Sequence, residues 1–311
     1  MLDDGTFGIL NGFVFFTQVD IINYIQGNDA FLNELLSGFR DERPGSPVFD
    51  SPLDERRRDI VLLLNQLMIL GKGVQLPNRL ALYRNLIDRG LLFVVEWAFR
   101  RNEAQLLHAG AEILTLAVEL DVGAVRMHVL KEDEAKRRSL IVDIIALLSR
   151  TKNMGLLSQV GDSLRNLLDT SGEENVSLAR ARHVRVADRQ SFLQRKEGPI
   201  SDNFMQSFYE NCVGALYRPL LESPEIKAGA GGLSAVSNNG QLMVEVPKIP
   251  RERTALLYLL IELLSASVSN NSQLHRVSFF ILSNPISRKI VSLVYVKDKP
   301  LKHGKIASTE S

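Results

Sequence analysis

The sequence contains a single cysteine among its 311 residues and carries almost no net charge. Cys212 alone cannot form an internal disulfide, which favours a reducing compartment. A formal net charge of +1 excludes a strong overall field that would attract nucleic acid or an anionic membrane. The first residues, MLDDG, lack the basic segment of a signal peptide. The longest apolar run, IVLLLNQLMIL, is too short to cross a bilayer, so we expect a soluble intracellular chain without membrane contact.

Motifs of the common enzyme classes are also missing. The sequence has no H-x-x-x-H or H-E-x-x-H pair, no G-x-S-x-G, no G-x-G-x-x-G and no P-loop. One cysteine and scattered histidines predict no metal site, and nothing predicts a cofactor. Cys212 lies in an apolar helical stretch and is interpreted as a small buried hydrophobe rather than a nucleophile. The sequence therefore predicts a protein without catalytic activity.

Apolar residues recur every three or four positions along almost the whole chain, which is the period of an α-helix. Thr17 in TQVD is predicted as a helix N-cap, and Ser51 followed by Pro52 in SPLD as the start of another helix. Pro77 is expected to open a further helix, which Gly90 would end. Because alternation of Val, Ile and Thr is scarce, we predict an all-α fold.

Two segments match each other at an offset of 50 residues. LLHAGAEILTLAV begins at Leu106 and LLSQVGDSLRNLL at Leu156, and the predicted helices before them end at Arg100 and Arg150. A looser third copy begins at Thr254. Helix pairs that recur about every 40 to 50 residues are typical of HEAT and armadillo repeats, which stack into a superhelix. We predict one armadillo/HEAT-like α-solenoid over residues 1–311, with an irregular helical bundle as the alternative.

Three polar segments interrupt the predicted array, at about residues 40–58, 170–200 and 222–250. They are rich in Pro, Arg, or Gly and Ser, and we expect them to be flexible loops. Their Ser-Pro pairs are candidate phosphorylation sites, which begin at Ser46, Ser51 and Ser223. After IVSLVYV only a polar tail follows, so the last repeat is expected to be incomplete and the chain to be a middle piece of a longer scaffold.

Binding has more support than catalysis, and two groups of residues are candidates. Asn166, with Arg165 beside it, lies in LRNLL on a predicted inner helix, where its amide would hydrogen-bond an extended peptide. An ordinary exposed polar pair is the alternative. Arg180, Arg182 and Arg185 belong to an arginine-rich loop that would contact phosphates on nucleic acid or a phosphopeptide. A solvated loop without a partner is the alternative.

Four stretches of the chain resemble one known family. They read LDDGTFGILNGFVFFTQVDIINYIQGNDAFLNELL, LPNRLALYRNLIDRGLL, SLRNLLD and FMQSFYENCVGALYRPLLES. They are similar to the central domain of the SMEK proteins, which are the regulatory subunit 3 family of serine/threonine-protein phosphatase 4. The resemblance covers nearly the whole chain, from Leu2 to about His303, apart from the three polar segments.

The resemblance implies an armadillo-like scaffold that acts as a non-catalytic regulatory subunit and helps to target the phosphatase 4 catalytic subunit to substrates. The implied partners are that catalytic subunit and its other regulatory subunit, with phosphoprotein substrates bound indirectly; nucleic acid is not expected. The family also implies a location in nucleus and cytoplasm, and roles in the DNA-damage response and cell-cycle control. A generic armadillo-like adaptor for peptides or nucleic acid is the alternative function.

Overall fold

The computed structural model describes residues 4–40, 52–170, 197–223, 251–269 and 274–294. These residues are almost entirely helical, and no strand occurs among them, which confirms the all-α prediction. By their contacts they divide into two compact units. Unit 1 comprises residues up to Thr151 and Gly155–Phe208, and unit 2 comprises Lys152–Met154 and the chain from Tyr209 onward. The expectation of a single armadillo-like domain stays a prediction.

The helices are labelled here in chain order. Unit 1 contains α1 (Asp4–Gly27), α2 (Asp29–Ser37), α3 (Pro52–Lys72), α4 (Leu76–Arg89), α5 (Leu91–Arg100), α6 (Ala104–Glu134), α7 (Leu140–Arg150), α8 (Met154–Leu168) and α9 (Glu197–Ser207). Unit 2 contains α10 (Val213–Leu221), α11 (Arg251–Ser269), α12 (Leu274–Ser283) and α13 (Ile286–Val294). A π-helical turn, Phe208–Cys212, joins α9 to α10.

Helix α6 is in effect two helices that meet at Asp121. The backbone of Asp121 is not helical (φ −149°, ψ 76°), so residues 104–120 and 122–134 form separate segments. Asp121 Oδ1 accepts a hydrogen bond of 2.9 Å from the backbone N–H of Ala124, which is the geometry of an N-cap. Asp121 therefore caps the second segment and allows it to leave in a new direction.

The repeat predicted from the 50-residue offset appears in the helix boundaries of unit 1. Helices α5 and α7 end at Arg100 and Arg150, and α6 and α8 begin at Ala104 and Met154. Because α6 is broken at Asp121, this part of unit 1 consists of two successive groups of three helices. The first is α4, α5 and residues 104–120, and the second is residues 122–134, α7 and α8. The described helices thus form the all-α repeat fold that the sequence predicted.

Close packing between α5 and α6 depends on small side chains. A Cβ atom at Gly110 would lie 3.1 Å from both Ala98 Cβ and Phe99 Cε1, which is tighter than an ordinary van der Waals contact. Leu114 on α6 and Leu164 on α8 are fully buried, as the repeat alignment predicted. Each such leucine contributes about 1.5–3 kcal/mol of hydrophobic stabilisation.

Several predicted helix ends are confirmed. Helix α3 begins at Pro52, and Gly90 ends α4 with a left-handed backbone (φ 111°) that favours glycine. Because α3 already includes residues 52–58, the first polar segment is shorter than predicted, and its basic residues extend a helix. Ser51 itself lies outside the described residues.

The predicted helix start at Thr17 is wrong. Thr17 lies inside α1, and its hydroxyl donates a hydrogen bond of 2.9 Å to the carbonyl of Phe13 one turn earlier. A threonine that bonds back in this way satisfies its polar group without ending the helix. Ser223 is also not the exposed phosphorylation site that was expected, because it is buried and its hydroxyl donates to the carbonyl of Leu220 at 2.6 Å.

Helix α1 corrects the expectation that the chain has no segment able to span a bilayer. Within the described residues, Gly5–Gly27 is long and apolar enough to do so by length and composition. The expectation rested on IVLLLNQLMIL, whereas the longer apolar stretch of α1 includes the polar residues Asn11 and Thr17. The same test is passed by core helices of soluble proteins, so it does not by itself show a membrane segment.

Candidate partner-binding site

Polar side chains meet across three helices of unit 1, namely α3, the first half of α6, and α8. Asn65 Nδ2 lies 3.4 Å from Glu112 Oε2, and Lys72 Nζ lies 3.5 Å from Glu112 Oε1. One turn further along α6, Thr115 Oγ1 lies 3.1 Å from Ser163 Oγ and 3.5 Å from Gln159 Nε2. We call these six residues the polar row. It joins helices whose residues are 40 to 48 positions apart in sequence.

The predicted binding pair lies at the end of the polar row. Asn166 is exposed and follows Ser163 by three residues on α8, so both lie on the same side of that helix. Arg165 is about one-third exposed and lies 3.7 Å from Asp162, an ion pair close to solvent. The structure thus places Asn166 and Arg165 where a partner has access to them, and their role in binding stays a prediction.

Asn65 is the least satisfied member of the polar row. Its side chain is buried, and its Oδ1 atom accepts no hydrogen bond from the described part of the chain. A buried acceptor without a partner costs about 1–3 kcal/mol. The amide of Asn65 is therefore the group in the row with unused hydrogen-bonding capacity.

Arg180, Arg182 and Arg185 lie outside the described residues. The structure does describe both ends of the segment that contains them, and these ends are tied together. Arg126, a buried residue of α6, donates from Nε to the carbonyl of Leu167 at 3.0 Å and from Nη2 to that of Asp169 at 2.8 Å. Its Nη1 atom lies 3.3 Å from Ser201 Oγ on α9. The described residues on either side of the arginine-rich segment, Leu167 and Asp169 before it and Ser201 after it, therefore bind the same guanidinium group.

A buried charge network forms a second polar cluster, which our sequence analysis missed. It connects α5, α6 and α7. Glu96 Oε1 lies 2.9 Å from His128 Nε2, and Arg100 Nε donates to Asp143 Oδ2 at 2.8 Å. Arg138 Nε donates to Asp143 Oδ1 at 2.6 Å, while Glu96 Oε2 lies 3.4 Å from Arg100 Nη2. Both carboxylates are almost fully buried and both face cations, so we interpret the cluster as a structural tie between layers.

Burial raises the pKa of Glu96, and the hydrogen bond and charge of His128 oppose that rise. Desolvation therefore favours the neutral form of the Glu96 carboxyl group, whereas pairing with His128 favours its charged form. The signal that would have identified this residue is a single charged side chain within the apolar stretch LLFVVEWAF. Arg126 shows the same signal within GAVRMHV.

Metal and thiol chemistry find no support in the described residues. No group of three or more His, Cys, Asp or Glu side chains among them is placed to hold a metal ion. Cys212 is buried, as predicted for a small hydrophobe.

Comparison with known proteins points to one family. A family model described as phosphatase 4 regulatory subunit 3 matches residues 1–307. An uncharacterised protein of Schizosaccharomyces pombe is 27% identical over 238 residues, which cover 73% of this chain and 27% of that protein. Suppressor of Mek1 from Dictyostelium discoideum is 22% identical over 296 residues, which cover 94% of this chain and 23% of that protein.

A third relative carries the name of the family itself. Serine/threonine-protein phosphatase 4 regulatory subunit 3 of Drosophila melanogaster is 26% identical over 172 residues, which cover 54% of this chain and 17% of that protein. No solved structure matches. The chain spans about a quarter or less of the length of the curated relatives it matches. Because the family model covers all but the last few residues, the chain belongs to the phosphatase 4 regulatory subunit 3 family.

Proposed function

We propose that this chain is a non-catalytic scaffold segment of a serine/threonine-protein phosphatase 4 regulatory subunit, and that it helps to target the catalytic subunit to substrates. The observation that carries this proposal is the family match over residues 1–307. A stack of helices with a laterally connected polar surface is suited to holding other proteins, because solenoid repeats present extended faces to partners.

We further propose that Asn166 and Arg165, together with the accessible members of the polar row, form the surface that contacts a partner. The exposed side-chain amide of Asn166 both donates and accepts hydrogen bonds, so it matches the backbone of an extended peptide. The partners proposed are the phosphatase 4 catalytic subunit and its other regulatory subunit, with phosphoprotein substrates reached through the assembled complex.

Co-purification tests the proposal. The tagged 311-residue chain is expressed with the phosphatase 4 catalytic subunit, with and without the other regulatory subunit. Retention of the catalytic subunit in either arm supports the scaffold role, and loss in both arms contradicts it for this part of the protein. Asn166→Ala is expected to reduce retention several-fold if the polar row is the contact surface. Asn78→Ala, at an exposed asparagine of α4, is the matched control and is expected to leave retention unchanged.

The alternative role as a nucleic-acid adaptor predicts a different dependence on salt. Contacts between Arg180, Arg182 or Arg185 and phosphates would release counterions, so binding would fall steeply as the salt concentration rises. Capture by the phosphatase through an amide-rich row would be much less sensitive. Repeating the co-purification and an RNA- or DNA-binding assay at two salt concentrations separates the two roles.

Location in nucleus and cytoplasm, and participation in the DNA-damage response and cell-cycle control, are further proposals that rest on the family resemblance. Imaging of the tagged chain before and after DNA damage tests them. A chain confined to the cytoplasm under both conditions would contradict a nuclear role for this segment.

A further inference from the structure

Three arginines of unit 1 lie together at the exposed edge of the buried charge network. Arg100 ends α5, Arg138 lies in the connection before α7, and Arg150 ends α7. Arg100 Nε and Arg138 Nε both donate to the carboxylate of Asp143, at 2.8 and 2.6 Å. Arg150 Nη2 donates at 3.1 Å to the carbonyl of Arg101, just beyond α5. The three guanidinium groups therefore lie near the C-terminal end of α5, and we call them the arginine cluster.

Positive charge outweighs negative charge in the arginine cluster. Asp143 and Glu96 are the carboxylates that contact it, and Glu96 also pairs with His128. Burial lowers the pKa of Arg150; the charge of Asp143 opposes this effect, and the charge of Arg138 adds to it. Three guanidinium groups thus share two carboxylates, so an additional anion would be attracted to the cluster.

Arg138 has hydrogen-bond donors to spare. Its Nε atom is bound to Asp143, and its two Nη atoms donate to no group within the described parts of the chain. Its side chain is 43% exposed. The two Nη atoms of an arginine form a fork that matches two oxygens of a phosphate group. Because Asp143 holds the other edge of the guanidinium group, this fork is in place before a ligand arrives.

Lys136 places a further exposed cation at a position that favours glycine. It lies two residues before Arg138, and its backbone is left-handed (φ 53°). It directly follows Ala135, the C-cap of α6, where glycine is the common residue. A lysine costs free energy in this conformation, whereas a glycine does not. Strained positions of this kind cluster at ligand-binding sites, which supports a role of Lys136 outside the fold itself.

We propose that the arginine cluster, together with Lys136, binds the phosphate group of a phosphoserine or phosphothreonine in a partner protein. Arginine clusters recognise phosphorylated peptides because each fork binds two phosphate oxygens. A phosphate monoester carries a charge of about −1.5 to −2 and three acceptor oxygens, so it suits several cations that converge on one place. The inference concerns the chain alone and does not rest on the phosphatase role.

A nucleic acid fits the arginine cluster less well. Its backbone is bound by cations that follow successive phosphates, whereas these cations lie together at one end of α5. Single strands also stack their bases on exposed aromatic rings. Trp97 and Phe99 of α5 are buried, Phe93 packs against His128, and α7 contains no aromatic residue. The geometry therefore favours a single phosphate group over a polynucleotide.

Fluorescence anisotropy with the intact 311-residue chain tests this inference. The probe is a fluorescein-labelled peptide, Gly-Ala-phosphoserine-Ala-Gly, and the same peptide with serine is the reference. The phosphorylated peptide is expected to bind about tenfold more tightly or better, and millimolar inorganic phosphate to compete with it. Arg138→Gln is expected to remove most of this preference, and Arg138→Lys to retain part of it, because lysine keeps the charge but not the fork. Arg56→Gln, at an exposed arginine of the same unit, is the control and is expected to leave affinity unchanged.

Lys136→Gly separates binding from stability, and it is informative even if Arg138→Gln destabilises unit 1. Glycine relieves the left-handed backbone, so this variant is expected to melt at or above the wild-type temperature while binding the phosphorylated peptide several-fold more weakly. Equal affinity of the wild type for both peptides would overturn the proposal, as would full affinity in Lys136→Gly and Arg138→Gln. A single-stranded oligonucleotide without a terminal phosphate that binds more tightly than the phosphorylated peptide, and is lost in Arg138→Gln, would assign the cluster to nucleic acid instead.

Discussion

Replacing Arg126 by methionine tests how unit 1 holds the two ends of its arginine-rich segment. The guanidinium group is buried and donates to the carbonyls of Leu167 and Asp169 and to the hydroxyl of Ser201. It also lies 5.8 Å from the centre of the Phe204 ring. Methionine fills much of the same volume but donates no hydrogen bond, so the polar groups it leaves behind are unsatisfied.

The size of the effect follows from those contacts. The buried carbonyl of Leu167 and the partly buried carbonyl of Asp169 lose their donors, at up to about 1–3 kcal/mol each. The variant no longer buries a charge, which offsets part of the loss. We expect a net loss of about 3 kcal/mol in the free energy of unfolding. For a unit of this size that corresponds to a fall in Tm of about 6–12 °C. Arg126→Lys keeps the charge but not the planar fork, so it is expected to recover only part of the loss.

Thermal and urea unfolding followed by circular dichroism at 222 nm measure the effect. Arg56→Met is the matched control, because Arg56 forms an exposed ion pair with Glu34 (2.9 Å) on the surface of the same unit. Exposed pairs contribute about 0–1 kcal/mol. An Arg126→Met variant no less stable than Arg56→Met would refute the view that this arginine ties the segment ends together.

Four further substitutions test the packing of unit 1. Leu114→Asp and Leu164→Asp are each expected to unfold unit 1, because each buries an unpaired charge; a loss of the cooperative melting transition is the readout. Gly110→Ala is expected to cost about 1–3 kcal/mol in urea unfolding, since the new methyl would press on Phe99. For Glu96, burial raises the folded-state pKa above the unfolded value, so its stabilising contribution is present at low pH and lost as pH rises through the folded pKa. The stability of the wild type relative to Glu96→Gln is therefore expected to fall over that pH range.

Each of these changes has a control of the same type. Ser158→Asp adds a charge at an exposed position of α8 and should leave the melting curve unchanged. Gly214→Ala on α10 meets nothing within 4 Å and should stabilise its helix slightly, by up to about 1 kcal/mol. Glu119→Gln changes an exposed carboxylate of α6 and is the matched control for Glu96→Gln. Wild-type melting curves for both leucine variants, or a pH-independent difference for Glu96→Gln, would contradict the packing described.

The helices and their repetition could be read from the sequence because they depend on neighbouring residues. Pro52 and Gly90 marked helix ends through their own backbone preferences, and the offset of 50 residues reappears in the ends of α5 and α7. The prediction at Thr17 was wrong, since a residue type that caps helices can also donate to a carbonyl one turn earlier within a continuous helix. The break at Asp121 was missed because LTLAVELDVGAV keeps its apolar period on both sides.

The candidate site was only partly predictable, because it depends on contacts between residues that are distant in the sequence. Asn166 was identified by its place in a repeat, but its neighbourhood with the Thr115–Ser163 contact depends on how α6 and α8 lie side by side. The pairing of Glu96 with His128 joins residues 32 positions apart, and Arg126 reaches Ser201 across 75. No local pattern encodes which of several charged residues a buried group will meet.

By itself the sequence determined the all-α repeat fold and the family, because apolar periodicity and long ordered matches are properties of consecutive residues. Only the tertiary structure decided which polar groups meet, which of them are buried, and that the first half of α1 is left uncovered. Burial and long-range contact are set by how helices dock against one another. That docking depends on the shapes of all the faces together and cannot be read from any one of them.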